Sequence, residues 1–184
     1  MRPLVITQNI TADGSIEMLD DWFNPQEQSA YMLQVNARDS ARCESLVLGR
    51  RTFEDFRGYW PEQTDDRTGV SAELDGLDKY VVSTTITDPQ WQHSTIFGGD
   101  PVTAVVDLKA SSGGGEIVVT GSIDLCHTLI AAGVVDGYRL WTYPYVHGRG
   151  RRLFPEGHHA SLRLEESLAF STGVTYTHWS ATST

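Results

Sequence analysis

The chain has 184 residues and a formal net charge of −10 at neutral pH. This length can bury a substantial core and no shift in composition divides the chain, so we expect residues 1–184 to form one domain. The acidic balance argues against a nucleic-acid-binding protein, because neutralising phosphates needs Lys and Arg in excess. With no apolar run of transmembrane length and no recognisable signal peptide, the sequence predicts a soluble cytoplasmic protein that does not bind membranes.

The two cysteines, Cys43 and Cys126, are predicted to lie in helical segments. Neither has metal-ligand spacing to the other or to a histidine, which favours free, buried thiols. His158 and His159 are adjacent, but they lie in a predicted exposed turn. The sequence therefore predicts no metal site.

The N-terminal third begins with a predicted strand over residues 4–11, followed by a turn at the Asp13–Gly14 pair. Asn24 is a helix N-cap candidate, with Pro25 at the first helical position and Glu27 in the first turn. An apolar stripe at helical spacing follows at Tyr31, Met32 and Val35. The pattern predicts a first helix that starts directly after Asn24.

Apolar residues at 45–48 predict the next strand, which ends at Gly49. A short helix is expected to begin near Thr52. Residues 58–78 are polar and interrupted by glycine and proline, so they are predicted to cross the surface with one helical turn near residues 72–74.

The next elements are a predicted strand at residues 80–83 and a weaker one at residues 94–97. Asp100 is a candidate N-cap and Pro101 suits the first helical position. The composition of residues 102–110 is typical of a strand, but the cap and the apolar spacing favour a helix.

The segment from 117 to 154 combines a strand, a glycine turn, a helix and a second strand. Residues 117–119 predict a buried strand closed by Gly121, Gly133 suits a helix C-cap, and residues 138–146 predict another interior strand. The helix N-terminus that follows the first strand offers free N–H groups to an anion. An ordinary strand–turn–helix corner shows the same pattern, and these residues alone leave both interpretations open.

The C-terminal residues alternate between apolar and polar side chains at 162–165 and 174–179, with Gly173 between the two runs. This pattern predicts an antiparallel hairpin. Strand and helix alternation followed by a hairpin predicts an α/β fold in which a mixed sheet is flanked by helices on both faces.

Two basic clusters occur on this acidic chain: Arg50 with Arg51, and Arg149 with Arg151 and Arg152. Such clusters are candidate anion sites. Solvated surface charge is the alternative, and we expect it for most of the five arginines.

Four segments together resemble a known family: LVLGRRTFEDF, YVVSTT, IVVTGSIDLCHTLIAAGVVDGYRL and PYVHGRGRRLF. In this order they are similar to the dihydrofolate reductase superfamily, in the branch of RibD C-terminal reductase-like proteins, over nearly the whole chain. The resemblance implies a dihydrofolate reductase-like fold and a bacterial NADPH-dependent reductase that acts on a pterin or a pyrimidine.

The resemblance further implies that two strand-to-helix turns meet the phosphates of NADPH. The first turn comprises Gly49, Arg50, Arg51 and Thr52, and the second comprises Gly121, Ser122, Ile123 and Asp124. A guanidinium offers forked donors to phosphate, and Thr52 and the helix amides can donate as well. The second turn is usually a glycine pair, and Thr120 is interpreted as replacing its first glycine.

The end of the strand at 80–83 is implied to hold the adenosine 2′-phosphate through Ser83 and Thr84. Relatives often have a basic residue after the serine, where this chain has Thr84. The preference for NADPH over NADH therefore rests mainly on Arg50 and Arg51.

Hydride transfer also needs a proton source. The resemblance implies Glu27 as the carboxylate that binds the substrate ring, and a solvent-facing acid in a first helical turn is the alternative. Asp13 is the second catalytic candidate, although Asp before Gly is also a common turn-former. Asn9 and Trp22 are implied to be walls of the substrate pocket.

The leading hypothesis is an NADPH-dependent oxidoreductase of a small heterocycle. Its named types are 5-amino-6-(5-phosphoribosylamino)uracil reductase, of riboflavin biosynthesis, and dihydropterin or dihydrofolate reductase. A non-catalytic nucleotide- or pterin-binding protein and a pure interaction protein are the alternatives. His147 stands where relatives commonly carry an aliphatic residue, and this departure leaves the identity of the substrate undecided. A homodimer is expected, because relatives often pair through their sheets and Trp and Tyr suit an interface.

Overall fold

The computed structural model describes residues 1–182, which build one eight-stranded sheet. The strands are β1 (Leu4–Thr11), β2 (Cys43–Gly49), β3 (Asp78–Val82), β4 (Ser94–Phe97), β5 (Glu116–Thr120), β6 (Gly137–Tyr143), β7 (Leu162–Ala169) and β8 (Thr175–Ala181). The helices are α1 (Ala30–Ser40), α2 (Arg50–Tyr59), α3 (Val70–Gly76), α4 (Pro101–Ala110) and α5 (Ile123–Ala131), and Trp60–Glu62 form a 3₁₀ turn.

The strand order across the sheet is β4-β3-β2-β5-β1-β6-β8-β7. The strands from β4 to β6 run parallel, whereas β8 is antiparallel to both β6 and β7. The predicted mixed sheet and the predicted C-terminal hairpin are therefore confirmed. Gly173 has a φ of +83° between β7 and β8, a value that glycine adopts without strain.

Helices α4 and α5 cover one face of the sheet. Side chains alternate along a strand, so Leu4 and Ile6 of β1 point to the same face. They pack with Val47 of β2, Val119 of β5 and Leu129 of α5 in one buried cluster. This cluster buries one side of the central strands, and clusters on the opposite face bury the other side. The central strands are therefore apolar runs.

The opposite face is covered by α1, α2 and α3. Leu46 and Leu48 of β2 pack there with Phe53 of α2. Trp141 of β6 packs with Met32 of α1 in a separate aromatic cluster. Helices on both faces are thus confirmed.

The N-cap predictions have two different outcomes. Asp100 caps α4 as predicted, because its Oδ2 accepts the Thr103 N–H at 2.8 Å. Asn24 does not cap α1, which begins at Ala30 after Ser29, whose Oγ accepts the Met32 N–H at 3.2 Å. The Asn24 side chain instead bonds within its own turn, a local alternative that Asn offers the backbone.

Two further predictions about secondary structure are wrong. Cys43 lies at the first position of β2, not in a helix, whereas Cys126 lies in α5 as predicted. The strand predicted over residues 138–146 ends at Tyr143. Pro144 follows directly, and proline has no N–H with which to continue the hydrogen-bonded ladder.

Candidate functional site

The carboxyl ends of the parallel strands meet at one edge of the sheet, where two helices begin directly or within three residues after their strands. Helix α2 starts at Arg50, directly after Gly49 ends β2. Helix α5 starts at Ile123, three residues after Thr120 ends the adjacent strand β5. This edge is where open α/β sheets bind ligands, and each helix N-terminus carries a partial positive charge.

These two strand-to-helix turns, residues 49–52 and 121–124, contact each other and are called the turn pair below. The Gly49 N–H donates to Ser122 Oγ at 2.6 Å. The Ser122 N–H donates in return to Thr52 Oγ1 at 2.8 Å. The two turns predicted to hold cofactor phosphates are therefore joined into one surface.

Little space is left for a side chain at the glycine on either side of this contact. A Cβ on Gly121 would lie 2.6 Å from Thr52 Cγ2, which real Cβ atoms do not tolerate. A Cβ on Gly49 would lie 3.1 Å from both Cβ and Oγ of Ser122. Gly121 also has a φ of +58°, in the left-handed region that favours glycine.

Thr120, interpreted as replacing the first glycine of the second turn, is the last residue of its strand. Thr120 lies in β5 and pairs regularly with Thr7 of β1. The two consecutive residues with positive φ are Gly121 and Ser122, at +58° and +57°. Ser122 therefore takes the left-handed conformation at a cost of about 1–2 kcal/mol.

Gln8 supports the second turn from behind, and sequence reasoning missed it. This buried residue of β1 donates from Nε2 to the Gly121 carbonyl at 2.9 Å and contacts Cys126 Sγ at 3.5 Å. The Cys126 thiol donates to the same carbonyl at 3.2 Å. Burial raises the pKa of Cys126 to about 12, so it is a protonated structural thiol.

The signal for Gln8 was present in the sequence. It follows Leu4 and Ile6 at the spacing of a strand face, where a third apolar residue would be expected. A buried side-chain amide needs a hydrogen-bonding partner, and Gly121 supplies it.

The two arginines of the first turn differ in whether their guanidinium groups form ion pairs. Arg50 Nη1 forms an ion pair with Glu54 Oε2 at 2.8 Å along the same helix. Arg51 is exposed and has no ion pair within residues 1–182. Of the two arginines in this turn, Arg51 is therefore the one whose guanidinium is available to an anion.

Ser83 and Thr84 follow β3 at the same edge. The buried Ser83 Oγ accepts the N–H groups of Thr85 and Ile86 at 3.2 and 3.0 Å, so it organises its own turn. Thr84 is exposed. A shallow groove of about 500 Å³ lies farther along, lined by Phe97, Asp100, Thr103 and Asp107 among others, and contains no residue of the turn pair.

Asn9 and Trp22 belong to the face of the sheet that α1 covers. Asn9 pairs with Trp141 and is partly exposed. Trp22 packs edge-to-face against Tyr143, two residues beyond Trp141, at 5.4 Å between ring centroids. The Trp22 Nε1–H is buried and has no partner among the described residues, so it is an unsatisfied donor.

Asp13 joins two loops, residues 12–29 and 144–161, which are called the loop pair below. Its carboxylate accepts the Thr11 hydroxyl at 2.6 Å, the His147 N–H at 3.1 Å and the Gly148 N–H at 2.7 Å. These hydrogen bonds, that from Thr11 first, hold the pKa of Asp13 well below its usual range. At neutral pH Asp13 is therefore ionised, and it has no proton to donate.

Glu27 lies in the exposed turn before α1, since that helix begins later than predicted. Its Oε1 accepts a hydrogen bond from Asn24 Nδ2 at 3.0 Å. The two predicted catalytic carboxylates thus differ in setting, since Asp13 is bonded within the loop contact and Glu27 is exposed.

Charged pairs fill the rest of the loop pair. Arg149 contacts Asp20 at 3.1 Å, and Arg151 contacts both Glu17 and Asp124 at 3.0 Å. The Asp124 side chain is therefore engaged in a surface ion pair beside the second turn. His147 has a fully buried side chain, and its Nδ1 lies 3.3 Å from Asp20 Oδ2.

Comparison with known proteins agrees with this arrangement. A family model for the RibD C-terminal domain matches residues 2–176. The chain belongs to the RibD C-terminal domain family. The uncharacterized protein YyaP of Bacillus subtilis strain 168 is 28% identical over 188 residues, which cover 97% of this chain and 95% of YyaP.

Solved structures share the fold of this RibD C-terminal domain. A protein described as a riboflavin biosynthesis protein, from Shewanella sp. PV-4, has a TM-score of 0.74 at 18% identity and covers 98% of this chain and 99% of its own. A pyrimidine reductase-like protein from Corynebacterium diphtheriae has a TM-score of 0.71 at 12% identity, covering 100% and 93%. Dihydrofolate reductase from Enterococcus faecalis, complexed with NADP(H) and RAB-propyl, has a TM-score of 0.65 at 16% identity, covering 98% and 97%. The predicted dihydrofolate reductase-like fold is confirmed.

Within residues 1–182 of this RibD C-terminal domain, no helix is long and apolar enough to cross a membrane. The same residues contain no group of three or more His, Cys, Asp or Glu side chains that could hold a metal ion.

Proposed function

We propose that this chain is an NADPH-dependent reductase of a small heterocycle, of the 5-amino-6-(5-phosphoribosylamino)uracil or dihydropterin type. The observation that carries the proposal is the turn pair, in which two helix N-termini and two glycines meet at the carboxyl edge of the sheet. Membership of the RibD C-terminal domain family supports a reductase.

The side chains at this edge suit a phosphorylated dinucleotide. Arg51 offers an unpaired guanidinium, and Ser122 and Thr52 offer hydroxyl groups at the positive ends of two helices. When bound, NADPH would supply the hydride. The chain's own part is to bind the phosphates, exclude water and orient the substrate.

The substrate is proposed to lie on the α1 side of the sheet. Thr7 and Asn9 of β1 and Thr120 of β5 are partly exposed polar residues on that side, between strands that are otherwise apolar. Asn9, Trp22 and Glu27 are the proposed substrate contacts. The unpaired indole N–H of Trp22 would donate to a ring acceptor.

The proposal is tested by titrating the purified protein with NADPH and with NADH, following the quenching of tryptophan fluorescence. Tight NADPH binding with weak NADH binding supports it. If neither nucleotide binds, the proposal is wrong. The proposal includes a cytoplasmic homodimer, and the mass of the protein in solution checks the dimer.

Arg51 is expected to select NADPH. Removing one charge-assisted hydrogen bond at an exposed position should weaken NADPH binding about 10-fold in R51A. R50A should lose less, because Arg50 is paired with Glu54. The affinities come from the same fluorescence titration, with R163A on the distant strand β7 as the control.

A non-catalytic nucleotide- or pterin-binding protein is the second candidate. It is favoured by the ionisation and the hydrogen bonds of Asp13. Because Asp13 is ionised and committed to the loop pair, it is not a ready proton donor. Loss of reduced nicotinamide absorbance with dihydropterins or aminopyrimidines separates the candidates. NADPH binding without turnover of any of these substrates favours the binding protein.

A further inference from the structure

We propose that His147 makes the contact between the two loops of the loop pair depend on pH. As an imidazolium cation it holds the loops together through Asp20, and as a neutral imidazole it allows them to separate. This inference concerns the protein without any ligand, so it does not rest on the proposed function.

The side chain of His147 lies inside the loop contact without a hydrogen bond. It is fully buried, and neither Nδ1 nor Nε2 has a hydrogen-bond partner within residues 1–182. Its Nδ1 lies 3.3 Å from Oδ2 of Asp20, which belongs to the opposite loop. Buried polar atoms are normally hydrogen-bonded, so an imidazole with two unpartnered nitrogens calls for an explanation.

The position of Asp20 decides which ring nitrogen of His147 titrates. An ionised carboxylate only accepts hydrogen bonds, so the nitrogen beside it carries a hydrogen in both charge states of the ring. The proton is therefore gained or lost at Nε2. Because Nε2 is buried, a proton reaches it only when the loops separate for a moment. Titration of His147 and opening of the loop pair are thus coupled.

Three carboxylates of residues 12–29 favour the charged ring. Besides Asp20, Asp13 accepts the His147 backbone N–H at 3.1 Å. The pKa of Glu17 lies below its usual range, chiefly because it accepts the Arg151 N–H and also through attraction to His147. An imidazolium is attracted to all three acids and a neutral imidazole is not, so the closed loops hold the cation more tightly.

The remaining charged or titratable groups around the ring lie on its own loop and on α5: Tyr145, Arg149, Arg151 and Asp124. Arg149 also contacts Asp20, so this carboxylate is shared between a permanent cation and one that titrates. Carboxylate, guanidinium and phenol groups keep their charge between about pH 5.5 and 7.5, where an imidazole changes its own. Among the described side chains that join the two loops, His147 is therefore the one whose charge changes in this range.

Hydrogen exchange of two backbone amides measures the loop contact directly. The His147 and Gly148 N–H groups both donate to Asp13 across the contact, so they exchange when the loops open. The protection factor compares each amide with an unstructured peptide at the same pH, which removes the pH dependence of exchange itself. In the unchanged protein we expect it to fall about 10-fold from about pH 5.5 to 7.5, when measured by NMR.

Variants of the two partners test the pairing. H147L replaces the ring with an apolar side chain, and D20N keeps the shape of Asp20 without its charge. Both should make the protection factor independent of pH in this range. Thermal unfolding checks that each variant is folded, and if H147L does not fold, D20N decides, because the Asp20 side chain is partly exposed.

Two control variants should keep the pH dependence. R149Q removes the permanent cation beside Asp20, so it should lower protection at every pH without changing the ratio between pH values. H127Q replaces a histidine of α5 that contacts the Arg152 carbonyl at 2.8 Å but does not join the two loops.

The outcomes are distinct from those of the nucleotide titration. Protection that falls with pH in the unchanged protein, R149Q and H127Q but not in H147L and D20N establishes the role of His147. Constant protection in the unchanged protein overturns the proposal, and so does a pH dependence that survives in H147L or D20N or disappears in a control variant. In each case the proposed function is unaffected, because no nucleotide is present.

Discussion

The turn pair and the loop pair lie at the same edge of the sheet, yet different forces hold them together. The turn pair is joined by hydrogen bonds between backbone and hydroxyl groups and by close packing against glycine. The loop pair is joined by the carboxylate of Asp13 and by surface ion pairs such as Arg151 with Glu17. The stability of the turn pair should be insensitive to salt but should fall when a side chain is enlarged. The stability of the loop pair should depend on salt and should tolerate added volume.

This difference suits the two proposed roles. A surface that positions phosphates has to be in place before the cofactor arrives, which close packing achieves. Loops that border a substrate site have to admit and release a ligand. Exposed charge pairs contribute little to stability, so they allow the loops to open.

Gly121→Ala should give the largest effect and is the most direct way to break the turn pair. The new methyl group would lie 2.6 Å from Thr52 Cγ2 in addition to requiring a φ of +58°. We expect a loss of about 2–4 kcal/mol in the free energy of unfolding. Gly133→Ala is the matched control, since its φ is +65° but nothing lies within 4 Å, and it should lose only about 1 kcal/mol. Equal losses in the two denaturant titrations would show that packing at Gly121 is unimportant.

Gln8→Met should have the next largest effect, through loss of support behind the second turn. It removes the hydrogen bond to the Gly121 carbonyl and keeps the side-chain volume, so we expect about 1–2 kcal/mol less stability and weaker NADPH binding. Gln63→Met is the control, because Gln63 also donates to a carbonyl but at an exposed position. A stable Gln8→Met variant with full NADPH affinity contradicts this role.

Asp13→Asn tests the loop pair and should lower the melting temperature modestly. The pKa of Asp13 is depressed in the folded protein, so its stabilising contribution is present above the ordinary carboxyl pKa of about 4 and is lost as the pH falls below that value. The unchanged protein should therefore lose more stability than Asp13→Asn when thermal unfolding is followed from neutral to acidic pH. Asp65→Asn, at an exposed site, should not alter that pH dependence.

Glu27→Gln should have the smallest effect on folding, within about 0.5 kcal/mol, because the side chain is exposed. If Glu27 contacts the substrate, turnover of a substrate found by screening should fall about 100-fold while NADPH affinity is unchanged. Unchanged turnover would leave Glu27 as a solvent-facing acid. The comparison of kcat/KM with the NADPH dissociation constant separates these outcomes.

Much of the fold was predictable because local signals determined it. The β-branched run before Gly121 and the Asp100 cap with Pro101 each specify an element through interactions within a few residues. The first helix was placed too early because Asn24 and Ser29 both offer a cap, and only the structure shows that Asn24 bonds within its own turn.

The site was less predictable because its decisive contacts are distant in the chain. Thr52 and Ser122 are 70 residues apart, and no local pattern records that they bond to each other. The support of Gly121 by Gln8 spans 113 residues. The roles of Glu27, Asn9 and Trp22 remain predictions, since they depend on a bound substrate.

The thiol of Cys126 is a buried chemical probe of how often the candidate site opens. It is buried 3.2 Å from the Gly121 carbonyl, and burial keeps it protonated. A thiol-labelling reagent can reach it only when α5 and the turn in front of it separate from the sheet for a moment. In a chain in which Cys43 is replaced by serine, the labelling rate therefore measures how often this edge opens, and a ligand that closes the turn pair should slow it.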